Sequence, residues 1–551
     1  MQSKWCGALP ELRVINRLFR YSVFAIAFAA TAGSAGAQII ERELHRGVTE
    51  GPSHLDPQYA SRAVEQSILS DLFMGLVAED AAGQPIPGMA ESWEIKQKGR
   101  RWIFKLRAGL KWSDGRPLVA GDFVYAFQRM LAPQSVAPYA SMFYPIAGAR
   151  SLHASKAGDP ATLGVTAKDK RTLIFDLEQP TPYFLALLVH PTAFPLRKDL
   201  IEKGGDGWTR PGRMVSNGPY ILAEWLPGRY VKLRKNWDFF DPATVYIDNI
   251  FYDIVDTGEV ALERFFSGDL AVLSGVPRER IAGFTETAPE AVRLYPTLTT
   301  DYLVFNTKKP PFNDTRVRQA LSLAIDSRSL VNSALDRGEI PATGMLPTGM
   351  ANLRAPAQPI QAAPYPLRRP LSPSTKRKMA KQLLADAGYG ANGALRITLH
   401  YNNSDTHQKV ADAIADMWDK IGVSTDLYGN HYNVHYGDLG IGDFDVARAG
   451  WIADYNDPTS VLELFQSGNE RFNYGTFADK EFDKLLSQSA AQSDPRERAI
   501  GLYRAHQRAM GQYPVVPLYH HASRNLVAPA VTGWEDNVRD IHPSRYLNLP
   551  D

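Results

Sequence analysis

The chain has 551 residues, with 61 Lys and Arg against 59 Asp and Glu, a single Cys, and 44% hydrophobic residues. At about 100–200 residues per domain, the length predicts two to four domains with ample material for real cores. A net charge of +2 excludes the basic stripe of a nucleic-acid binder, and one Cys excludes an intramolecular disulfide or a multi-Cys metal site.

In chain order, Arg13, Arg17 and Arg20 precede an apolar run from Tyr21 through Ala30, and small residues follow to Ala35-Gly36-Ala37. This is the order of a secretory signal peptide, expected over residues 1–37 with cleavage after Ala37. The apolar run is shorter than the roughly 20 residues needed to span a bilayer. Removing the leader takes away Lys4, Arg13, Arg17, Arg20 and Glu11, so the mature chain is expected at about −1. Cys6 leaves with it, so no disulfide staples the mature fold.

Alternating apolar residues predict strands at Trp102–Leu106, Leu173–Leu177 and Tyr230–Leu233. Helical spacing appears at Val317, Ala320, Leu321, Ala324 and Ile325, entered through Asn313-Asp314 as a cap. Residues 351–374, dense in Pro and Ala, predict an extended surface loop. Further helices are expected over Lys376–Ala387, around Phe482, Leu485 and Leu486, and over Glu497–Met510. Strands and helices alternate, so the class is mixed α/β.

Few motifs carry chemistry. Gly388-Tyr-Gly-Ala-Asn-Gly393 matches a G-x-G-x-x-G pattern, but a helix precedes it and a strand follows. That is the reverse of the phosphate-binding order, so it reads as a helix stop and turn. His431 and His435, with His407 upstream, have metal-ligand spacing if they lie on a helix. The segment Gly429–Gly437 reads instead as an irregular aromatic and polar stretch between strands. His520-His521 points to opposite faces of a strand. Phe444–Pro458 begins as a strand, with Arg448, Trp451 and Asp454 at its end, where open α/β sheets hold ligands. An internal Arg448–Asp454 ion pair beside a core Trp is the competing reading, and residue chemistry alone leaves both open. No nucleophile–base constellation stands out, so no catalytic residue is expected.

The combination of Lys111–Pro117, Ala120–Tyr125, Ser216–Tyr220, Phe305-Asn-Thr with Pro311–Leu321, and Phe444–Pro458 resembles the bacterial extracellular solute-binding proteins of family 5. The likeness runs from Leu55 to about Pro529. It implies a periplasmic-binding-protein type II-like (cluster C) α/β fold of two hinged lobes, with an extra subdomain inserted in lobe one. The boundaries expected are 38–74 with 199–299 and 522–551 for lobe one, 75–198 for the insertion and 300–521 for lobe two. It also implies a periplasmic receptor that captures short peptides and passes them to an inner-membrane ABC permease with its ATPase subunits. A monomer without cofactor, metal or nucleic acid is expected.

Among the residues, the resemblance assigns the peptide's α-ammonium to Asp454 and its carboxylate to Arg448 and His407. It places Tyr139 beside the first ligand residues and Trp451 as an apolar wall. Ala63, Tyr432 and Ile452 complete the expected ligand-binding set. There are departures: Ser61-Arg62 replaces an expected Glu-Gly ahead of a peptide-pairing strand, Tyr432 replaces a pocket Trp, and Leu439 replaces a pocket Arg. The Ser61/Arg62 change keeps a murein-peptide receptor on the same fold as an alternative. A metal or metal-chelate binder using His407, His431 and His435 is the alternative from another class.

Overall fold

The computed structural model describes residues 41–550, apart from 256–257, 336–337, 351–370, 391–392, 454, 470–471 and 493. The expected leader 1–37 therefore lies outside the described residues, as does most of the Pro- and Ala-dense stretch; Pro373 and Ser374 already belong to the next helix. Strand β1 (Glu43–Val48) comes first, then a small ribbon of β2 (Val77–Glu79) and β3 (Pro85–Pro87). An antiparallel sheet follows, built from β4 (Ala90–Lys96), β5 (Arg101–Leu106), β6 (Val165–Asp169) and β7 (Thr172–Asp176) in the order β4-β5-β7-β6. Its alternation is the one read from sequence: Trp102, Phe104 and Leu106 point inward and Lys105 outward.

The chain then returns to the main sheet through β8 (Tyr220–Leu226), β9 (Tyr230–Lys235), β10 (Asn249–Ile254) and β11 (Val272–Ser274). It continues through β12 (Val292–Phe305), β13 (Ile340–Pro341), β14 (Leu395–Asn402), β15 (Val423–Asn430), β16 (Val446–Ile452) and β17 (Val515–Val527). The order is β15-β14-β16-β12-β17-β11-β1-β10-β9-β8, with β13 on β17. β12 and β17 carry the chain between the two ends of this sheet. Val292–Pro296 pairs with Leu526–Ala522, the ladder breaks, and it resumes at Thr300 against His520.

Separate cores pack against the two ends. On the β1 side, Phe127, Phe175 and Phe184 meet edge-on, with ring centroids 5.1 and 5.2 Å apart. On the β14 side, Ile397, Ile414 and Trp418 are buried together, and the Trp418 indole N–H donates to the Leu321 carbonyl at 3.0 Å. Polar N-caps start the helices around this second half. Asp314, Ser372, Asp479 and Asp494 accept from the backbone N–H groups of Arg316, Thr375, Phe482 and Arg496, which the helix itself leaves without partners. Gly388, Gly390 and Gly393 all have positive φ between a helix and β14, the stop and turn expected.

The Ser216–Tyr220 motif is structural. The Asn217 amide accepts from Met74 N–H at 3.2 Å and donates to the Met74 carbonyl at 2.8 Å, mimicking a strand neighbour. A Cβ at Gly218 would stand 2.6 Å from the Leu72 backbone carbonyl. Gly218→Ala is therefore expected to destabilise the protein by about 1–3 kcal/mol through forced backbone movement, read in a denaturant titration. Among the described residues, no helix is long and apolar enough to cross a membrane.

Candidate functional site

The Phe444–Pro458 segment carries four of the residues expected at the site, Arg448, Trp451, Ile452 and Asp454, and it differs in detail from the reading of the sequence. Arg448 and Trp451 lie within β16 rather than beyond it, opposite Leu303 and Thr300 of β12. Asp454 lies outside the described residues. Arg448 pairs with Asp301 of β12, a partner 147 positions earlier in the chain, while the Arg448–Asp454 ion pair weighed from the sequence lies outside the described residues with Asp454. The Arg448 Nη1 also donates to Asn402 Oδ1 at 3.0 Å, and the second Asp301 oxygen accepts from His521 Nε2 at 2.6 Å. Burial works against the charge on Asp301, but Arg448 and the His521 bond outweigh it and hold the carboxyl below its ordinary value.

One edge of β16 has no strand partner over half its length. β12 pairs with it from Val446 to Ile452, whereas β14 pairs only at Val446 and Ala447. Ala453 N–H donates to the Leu298 carbonyl, and strand groups alternate, so Arg448, Gly450 and Ile452 direct their backbone groups away from β12. The Arg448 carbonyl accepts from His435 Nε2 at 2.8 Å, and the Gly450 backbone meets the Tyr436 hydroxyl. Ile452, 68% exposed, keeps its amide and carbonyl on an open edge among the described residues.

The other expected site residues divide between two regions. His407 Nδ1 bonds the backbone carbonyl of Asn402 at 2.9 Å, the residue whose side-chain oxygen accepts from Arg448. Burial, with Arg448 adding to it, keeps its imidazole below the ordinary value and therefore neutral. Trp451 is half-buried: its indole donates to the Ser460 carbonyl at 2.7 Å and its ring meets Phe472 edge-on at 5.0 Å. Tyr432 is exposed and lies 4.7 Å from Tyr436. Arg448, His407, Trp451, Ile452 and Tyr432 thus share the β14–β16 region. Tyr139, whose ring lies 4.4 Å from His190, and the exposed Ala63 belong with the β1-side core. Ala63 opens a helix over Ala63–Leu72, so the peptide-pairing strand expected after Ser61-Arg62 is absent there; Arg62 is extended and lies 3.6 Å from Glu50.

Gly429–Gly437, read as irregular, contains a helix over Tyr432–Ile441 whose buried positions are His435 and Leu439. Leu439 is core, not pocket wall. His431 caps that helix, while His435 and His407 bond separate carbonyls, and no group of three metal-ligating side chains is assembled among the described residues. His520 and His521 do face opposite ways, as expected, and each finds a partner on β12: His520 Nδ1 lies 2.9 Å from Thr300 Oγ1, and His521 holds Asp301. Asp301, and the pairing of His521 with it, escaped sequence reading; the available signal was a lone carboxylate directly before the apolar run Tyr302–Phe305.

Burial pushes His435 and His520 down to about 4. A group whose folded pKa is depressed binds its proton more readily when unfolded, so the stability it contributes is present above about pH 6.5 and lost as pH falls toward 4. Each histidine is expected to add about 1.4 kcal/mol per pH unit to that slope. Thermal midpoints between pH 7 and 4.5 check this, and His435→Gln should flatten the curve.

Comparison with known proteins gives this arrangement its context. The family description "bacterial extracellular solute-binding proteins, family 5 Middle" matches residues 84–473. The periplasmic oligopeptide-binding protein OppA of Salmonella typhimurium is 37% identical over 518 residues, covering 92% of this chain and 93% of that protein. The periplasmic murein peptide-binding protein MppA of Escherichia coli is 33% identical, covering 96% and 97%. Among solved structures, the unliganded open form of the murein tripeptide-binding protein MppA superposes with a TM-score of 0.85 at 33% identity, covering 92% of this chain and 97% of that one. The mixed α/β class and the two-lobe type II-like fold follow from these matches. The chain belongs to the bacterial extracellular solute-binding proteins of family 5.

Proposed function

We propose that this protein is a periplasmic receptor that captures short peptides in the cleft between its lobes and delivers them to an inner-membrane ABC permease. The observation that carries the reading is the open edge of β16 at Ile452. An extended peptide adds to such an edge through its own N–H and C=O groups, which every peptide supplies whatever its side chains. Asp454 lies two residues beyond that edge in sequence and binds the ligand's α-ammonium; Trp451 walls the cleft, His407 and Arg448 line its other end, and Ala63 of lobe one and Tyr139 of the insertion lie across from them. The relatives named for oligopeptides and murein peptides support the class of ligand.

In this reading the leader ends at Ala37 and the mature chain works in the periplasm as a monomeric binding protein, not an enzyme. Lobe one comprises 38–74, 199–299 and 522–551, the insertion 75–198, and lobe two 300–521, with β12 and β17 as the hinge strands. Calorimetric titration with tripeptides to pentapeptides tests it: saturable binding of unmodified peptides is expected, with N-acetylated peptides binding far more weakly. No heat with any peptide would refute it. A murein-peptide preference is the second reading, favoured by the Ser61-Arg62 departure and by the 33% identity to a murein peptide-binding protein over 96% of this chain. Muropeptides included in the same titrations separate the two.

A further inference from the structure

The cation at the inner end of the cleft is already neutralised by the protein itself. Arg448 and Asp301 pair directly, with side chains 12% and 1% exposed. Asn402 takes Nη1, and His521 takes the second Asp301 oxygen from the far side, which fixes the carboxylate against the guanidinium. The residue opposite Asp301 on β16 is Gly450, where a Cβ would stand 3.2 Å from Arg448 Nη2 and 3.7 Å from Asp301 Oδ2. Arg448, Gly450 and Ile452 alternate onto one face of β16, so the ion pair sits under the same face as the exposed Ile452.

Charge accounting then decides what this position accepts. A ligand carboxylate brought within reach of the guanidinium also approaches Asp301, and at these separations repulsion from one charge offsets most of the attraction to the other. A buried negative charge without its own counter-ion is strongly disfavoured, whereas a neutral amide meets no such penalty. Resting on the peptide-receptor reading, we infer that Asp301 is a specificity-determining residue that acts through Arg448: it occupies that cation, so the cleft there takes ligand main chain continuing as a neutral amide rather than ending as a carboxylate. His521 is the positioning residue that holds Asp301 in place.

Tripeptides, tetrapeptides and pentapeptides, each as free acid and as C-terminal amide, test this by calorimetry at pH 8, where an imidazole is ordinarily uncharged. Wild-type protein is expected to show no acid preference that depends on this ion pair: any acid-over-amide ratio survives within about threefold in the double variant Arg448→Gln/Asp301→Asn, which removes both charges together. Asp301→Asn keeps the shape and removes the charge, so at one peptide length the acid should gain about tenfold or more over the amide, a readout that mere loss of stability would not move. An acid preference in wild type that vanishes in Arg448→Gln/Asp301→Asn overturns the inference, as do unchanged ratios in Asp301→Asn. Should Asp301→Asn fail to fold, the comparison of wild type with the double variant decides alone. Absence of binding by every peptide to wild type would instead bring down the peptide reading, and this inference with it.

Discussion

Arg498→Ala is expected to lower the unfolding free energy by about 3–5 kcal/mol, the largest loss of stability from any single polar contact around the site. Arg498, on the helix Pro495–Met510, grips Asp457 with both ends of its fork, Nη1 to Oδ2 at 2.8 Å and Nη2 to Oδ1 at 2.9 Å. The two side chains are 5% and 0% exposed. Asp457 also accepts from Thr459 N–H and Oγ1, so its carboxylate is held in place after the arginine is gone. Truncation therefore takes the arginine's charge and both of its hydrogen bonds away from a buried carboxylate. For a chain of this length the thermal midpoint should fall by roughly 3–5 °C, and pairing Arg498→Met with Asp457→Leu should recover much of that loss, because an apolar pair removes the charge along with its partner. A loss below about 1 kcal/mol for Arg498→Ala would show the pair to be solvated in practice.

Peptide affinity should respond most strongly to Asp454→Ala. A peptide's α-ammonium enclosed in a closed cleft without a carboxylate costs about 3–5 kcal/mol by analogy with broken buried pairs, which is about two to three and a half decades in Kd. The chain downstream of Asp454 is anchored on both sides. Tyr455 stacks on Tyr183 of the β1-side core at 4.5 Å, and Asp457 is fixed by Arg498 of the other half. Calorimetry of Asp454→Ala against wild type reads the change directly, and N-acetylated peptides provide the complementary deletion: they should bind wild type and variant about equally. A variant that keeps wild-type affinity would place the ammonium elsewhere.

Much of the local structure was legible because its causes are local. Asp314 announces its helix by offering an oxygen to an otherwise unsatisfied N–H, and alternation marks β5, β7 and β9. The helix Tyr432–Ile441 was not legible. It buries only His435 and Leu439, and one of those is polar, so no apolar stripe of helical period appears in the sequence. The partner of Arg448 was illegible for a different reason: Asp301 reaches it through the β12–β16 ladder, a contact that no local spacing encodes. Likewise, Leu439 stands where the resemblance expects a pocket Arg, but it fills a core, and the Ser216–Tyr220 motif that helps carry the resemblance braces a backbone. What the sequence located well was the strand that holds the site; the charge balance within it depends on residues from β12, β14 and β17 that only folding brings together.

Native mass spectrometry of the protein purified without denaturation tests the central claim most directly, because a peptide receptor that recognises main chain retains what it captures. The expected spectrum shows one ligand per chain, spread over many masses that fragment as short peptides, and the Asp454→Ala protein emerges bare. A wild-type spectrum with a stoichiometric metal or a single non-peptide mass, and no displacement of it by added peptide, would contradict the account.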